Sequence, residues 1–126
     1  MIEKQGEFEI DIFKHGFEVY TGGLPDGVHN AACAYCELLP DERLIKLYLL
    51  HNTEYDYYIL HECVHAADFI LNNIGANMGT DPDQSEIRAY LAEYIYCKVG
   101  CVLGTLKYDP TIRIHETSCK KGTKRV

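Results

Sequence analysis

The chain has 126 residues, 47% hydrophobic and 25% charged, which is enough to bury a core in one domain without cross-links. Its formal net charge of −7 is uneven: residues 1–104 hold 6 Lys and Arg against 17 Asp and Glu, a balance of −11, whereas residues 105–126 hold 6 against 2, a balance of +4. An acidic body argues against nucleic acid as a partner, because phosphate contacts need clustered cations, and no stretch approaches the ~18 apolar residues of a membrane span.

The opening MIEKQGEFEI carries acids and lacks the apolar core of a secretory signal. A soluble, cytoplasmic protein is therefore expected, with its six cysteines as reduced thiols rather than a disulfide framework. Residues 7–13 alternate Glu7, Glu9 and Asp11 with Phe8, Ile10 and Ile12, the pattern of a strand with one wet face. After Gly16 a second short alternation, residues 17–20, runs into turn formers over residues 21–27. Residues 31–39 and 44–50 are two more strand candidates, separated by the Pro40-Asp41-Glu42 turn. The N-terminal half thus predicts a small, largely antiparallel sheet.

The period then changes. Thr53 with Asp56 makes a helix start, and apolar residues recur at helical spacing through Ile59, Leu60, Val64, Phe69 and Leu71 until Gly75. Asp81, Pro82 and Gln84 fit the N-cap, first and third positions of a second helix, which carries Ile87, Tyr90, Leu91, Tyr94, Ile95 and Val99 to about Leu103. The layout is α+β: one domain over residues 1–104, and a basic tail over residues 105–126 that is expected to be solvated around Lys120, Lys121, Lys124 and Arg125.

The informative run is His61-Glu62-Cys63-Val64-His65. Two His at i and i+4 lie about 40° apart around a helix and one turn along it, so both imidazoles reach one ion from one face. Neutral imidazole suits Zn²⁺. Glu62 is turned about 60° from His65, close enough to address a water at the metal without itself ligating, as a general base must. A catalytic zinc needs a third protein ligand and an open position. A third His is absent, because Leu71 stands where the eleven-residue zincin signature would carry it, and Gly79-Thr80-Asp81-Pro82 puts Pro82 where an Asp-ligand motif needs its donor.

The motif, the strand at 44–50 and Glu86-Ile87-Arg88-Ala89, 21 residues after His65, together resemble the gluzincin metallopeptidases, in particular their small members, over about residues 44–97. That stretch, with Asp68, Tyr90 and Glu93, also looks like short proteins encoded in phages and prophages. The resemblance implies a minimal zincin fold and Glu86 as third ligand in an E-x-x-A pattern, with Ala89 letting the helices approach. Where larger gluzincins place an acid four residues after that Glu, this chain has Tyr90.

Glu93, two turns after Glu86, is the competing ligand; a short-loop antiparallel pairing favours Glu86 by putting the start of the second helix beside His65. Asp68 and Asn72 share the histidine face, and Asp68, Tyr90 or Glu93 would orient a ligand histidine. Tyr90 and His115 are candidates to stabilise an oxyanion. Cys33-x-x-Cys36 with Cys97 and Cys101 is a weaker alternative zinc site, packing thiols being preferred. Tyr55, Tyr57 and Tyr58 fit a half-buried core edge better than a cleft lining. The expected function is a zinc peptidase whose edge strand near 44–50 holds an extended peptide or protein substrate. The rival is a non-catalytic zinc-binding or protein-interaction module.

Overall fold

A computed structural model describes residues 1–28, 32–51, 56–76 and 82–104. Thr53, Tyr55, Asp81, His115 and the tail at 105–126 lie outside the described residues. Four strands, β1 (Glu3–Ile10), β2 (His15–Thr21), β3 (Ala34–Leu39) and β4 (Leu44–Leu49), precede two helices, α1 (Asp56–Asn73) and α2 (Pro82–Leu103). This is the α+β layout. The sheet order is β1-β2-β4-β3, with β1/β2 and β3/β4 antiparallel and β2/β4 parallel. The sheet is therefore mixed, although two of its three pairings are antiparallel.

Two expectations need correction. The alternation at 7–13 does not stay a strand: β1 stops at Ile10, and Asp11–Phe13 forms a 3-10 turn closed by Lys14 in the left-handed region, φ 57°. Ile12 is thereby thrown outwards. The strand at 44–50 is not an edge either, since β4 pairs with β2 on one side and β3 on the other. Its apolar content fits that position, with Ile45, Leu47, Tyr48 and Leu49 all buried. The edge strands are β1 and β3.

One sheet face builds the core. Phe17 and Val19 of β2 and Ile45, Leu47 and Leu49 of β4 meet Ile59, Cys63, Ala66, Ala67 and Ile70 of α1 and Leu91, Ala92, Ile95 and Val99 of α2. Helix α1 lies over β3 and α2 over β1. The approach of α2 depends on Gly6, where an added Cβ would stand 2.9 Å from Val102 Cγ1. On the opposite sheet face Tyr20 and Tyr48 stack with centroids 5.0 Å apart.

Candidate metal centre

Helix α1 turns Ile59, Cys63, Ala66, Ala67 and Ile70 into the core, which forces the residues between them outwards. His61 and His65 are accordingly exposed, one turn apart. Their rings meet edge to face, centroids 4.7 Å apart at 80°, and their Nε2 atoms converge to 3.1 Å. Two nitrogens each 2.0–2.1 Å from a tetrahedral zinc stand about 3.3 Å apart, so the pair needs to open by only a few tenths of an ångström to share one ion. Without an ion the contact is a hydrogen bond in which one Nε2–H donates to the other ring's lone pair. With an ion, both rings carry their proton on Nδ1.

Glu62, half-buried, projects to the β3 side of α1. It lines an open cleft of about 730 Å³ together with His65, Asp68 and Phe69 of α1, Tyr35 and Leu38 of β3, and Arg88 of α2. The floor is set by Cys36, whose Sγ donates to the Glu62 carbonyl at 3.6 Å. Burial, reinforced by the Glu62 carboxylate, pushes the Cys36 thiol well up, and the same causes raise Cys63 to about 12. Both are thus held as thiols at neutral pH and pack in the core. The five described cysteines form no disulfide. Cys33, Cys36, Cys97 and Cys101 are all described, and they are not brought together as a group that could hold a metal ion.

The remaining candidates divide. Arg88 Nη1 stands 3.6 Å from Asp68 Oδ1, which is buried and lacks a hydrogen-bond partner. The pair sets the start of α2 against the second half of α1, as the short connection led one to expect. Glu86 is exposed and lines neither the cleft nor the groove on the other side of α2. Tyr90 and Glu93 line that other groove with Ile10 and Phe13, because their phase on α2 turns them towards the β1–β2 connection. Tyr57 is exposed and Tyr58 half-buried, and neither lines the cleft. Among the described residues no group of three or more His, Cys, Asp or Glu is assembled that could hold a metal ion.

Arg88, Tyr35, Leu38 and Phe69 were not singled out by motif. Arg88 was detectable in principle, as the one cation that an antiparallel α1–α2 pairing brings to Asp68. No family model matches the chain, and no curated protein or solved structure matches it. No helix among the described residues is long and apolar enough to cross a membrane.

Proposed function

We propose that the chain is a zinc-dependent peptidase acting on extended peptide in the cytoplasm. The observation that carries this reading is the convergence of His61 and His65 Nε2 to 3.1 Å beside a cleft that Glu62 shares with the edge strand β3. His61 and His65 would hold the ion, and Glu86 would complete it as third ligand. The solvated side chain of Glu86 can be recruited without breaking core packing. When bound, zinc supplies Lewis acidity towards a carbonyl and towards water.

The rest of the chemistry belongs to the protein. The outer edge of β3, which pairs with no other strand among the described residues, offers backbone N–H and C=O groups to an extended peptide, giving affinity with little sequence preference. Tyr35, Leu38 and Phe69 supply apolar surface for a substrate side chain. Glu62 takes the proton of the attacking water and returns it to the leaving amine. Glu62→Gln removes only the base: zinc content and thermal midpoint should persist while peptidase activity on a peptide library is lost. Loss of zinc with that change would make Glu62 a ligand, and surviving activity would show that it is not the base.

One observation favours a second reading, a non-catalytic zinc-binding or protein-interaction module of phage origin: among the described residues only two of the needed ligands stand together. A closed site with four side-chain ligands, or none, would support it.

A further inference from the structure

Arg88 is, among the described residues, the one Lys or Arg that lines the cleft holding Glu62 and His65. Its half-buried side chain places Nη1 3.6 Å from Asp68 Oδ1, beyond the reach of a good hydrogen bond. We propose that Arg88 is a substrate-binding residue that takes a carboxylate of the peptide, two or three residues to the leaving-group side of the bond that Glu62 addresses. Resting on the peptidase reading of the same cleft, this role defines the class of substrate. It is a peptide that carries a carboxylate at that place, as its free C-terminus or as an acidic side chain.

The contact with Asp68 is the first reason. An ion pair open to solvent contributes little to stability, and at 3.6 Å this one draws no good hydrogen bond from the guanidinium, while Asp68 Oδ1 has no hydrogen-bond partner. So loose a pair does little for the fold and leaves the planar fork of N–H donors for another acceptor. The neighbouring charges narrow the ligand. Glu62 and Asp68 are both acids, so the cleft as a whole does not draw anions. A carboxylate is held there only where directed donors meet it, and a guanidinium matches a carboxylate with two parallel hydrogen bonds.

Spacing is the second reason. Asp68, which faces Arg88, follows Glu62 by six residues on α1, about 9 Å along the axis at ~1.5 Å per residue. Two or three extended residues at ~3.3 Å each cover that distance. The cleft, about 730 Å³, has the size of a site that encloses a small ligand, which suits the end of a chain. A peptide whose terminal carboxylate sits on Arg88 thus presents its second or third bond from the end to Glu62. Hydrolysis there breaks the C–N bond, leaves the water oxygen on the acyl fragment as a new carboxylate, and passes a proton to the new amine. The product released is a C-terminal di- or tripeptide.

Calorimetric titration of the full-length protein in the presence of a chelator tests this, because without metal a carboxylate has no ion to ligate. The probes are N-acetyl-Ala-Ala-Phe-Ala as the free acid, the same peptide as its C-terminal amide, and N-acetyl-Ala-Ala-Phe-Glu as its C-terminal amide. The free acid should bind at least about tenfold tighter than its amide, and the Arg88 guanidinium resonance of the parent should shift with the acid and not with the amide. Arg88→Lys, which keeps the charge and loses the fork, should bring the two affinities within about twofold of each other. The glutamate peptide tells the sources apart: affinity equal to the free acid's extends recognition to a side chain, affinity equal to the plain amide's restricts it to the terminus, and either supports the carboxylate site. Equal affinity for acid and amide in the parent, binding of neither, or a preference that survives in folded Arg88→Lys overturns the proposal. The peptidase reading fails separately: a protein without zinc that still prefers the acid through Arg88 keeps the carboxylate site, and a zinc peptidase that binds acid and amide alike loses it.

Discussion

His15 shows how much one buried polar side chain can fix. It is fully buried, and its Nδ1 lies 2.7 Å from the Phe13 carbonyl, which can only accept; Nδ1 therefore carries the proton and Nε2 is left as an acceptor. Asn73 Nδ2 donates to that Nε2 at 3.0 Å and to the Pro40 carbonyl at 3.2 Å, joining the end of α1 to β2 and to the β3–β4 turn. Asn73→Ala strands the His15 Nε2, because Pro40 keeps its bond from the Arg43 N–H. The change should lower unfolding free energy by about 1–3 kcal/mol in urea titration, and an unchanged midpoint would show that the link contributes nothing. Neither His15 nor Asn73 stood out in the sequence, since a histidine in an alternating strand carries no mark of its hydrogen bonds. His61, Glu62 and His65 did stand out, because their chemistry is tied to a spacing of one helical turn.

Helix α2 is the element on which the site and the fold both turn. It was legible from its Pro82 start and its apolar period, but its rotation was not. Which face meets α1 follows from Arg88 reaching Asp68 and from Val102 seating on Gly6, contacts between residues 20 and 96 positions apart. Gly6→Ala brings a Cβ to 2.9 Å from Val102 Cγ1 and should destabilise by about 1–3 kcal/mol. Val102→Ala in the same chain should recover part of that loss; a Gly6→Ala protein as stable as the parent would mean that α2 is not seated there. The third-ligand assignment also belongs to this helix. Glu86→Ala should weaken zinc binding by at least about tenfold, as expected of a lost ligand, whereas Glu93→Ala should leave it nearly unchanged. Equal affinities for parent and Glu86→Ala would remove Glu86 from the site.

At the scale of the whole molecule, two helices on one face of a four-stranded sheet put the histidine pair at one end and the apolar groove at the other. The sheet-then-helices order was readable from the change of hydrophobic period at residue 53. The crossing order was not: the parallel β2–β4 pairing makes β3 the edge beside the site and buries β4, and period alone does not say which of two apolar strands lies inside. The edge position expected near residues 44–50 therefore belongs to β3, 10 residues earlier at its start, and the proposed peptide-holding role goes with it. The central claim, that His61 and His65 hold one metal ion, is reached most directly by elemental analysis of the full-length protein purified without added metal. The account predicts about one zinc per chain, lost in both His61→Ala and His65→Ala proteins that remain folded. Zinc retained undiminished in both variants, or no zinc uptake by the parent even when the metal is supplied in excess, would contradict it.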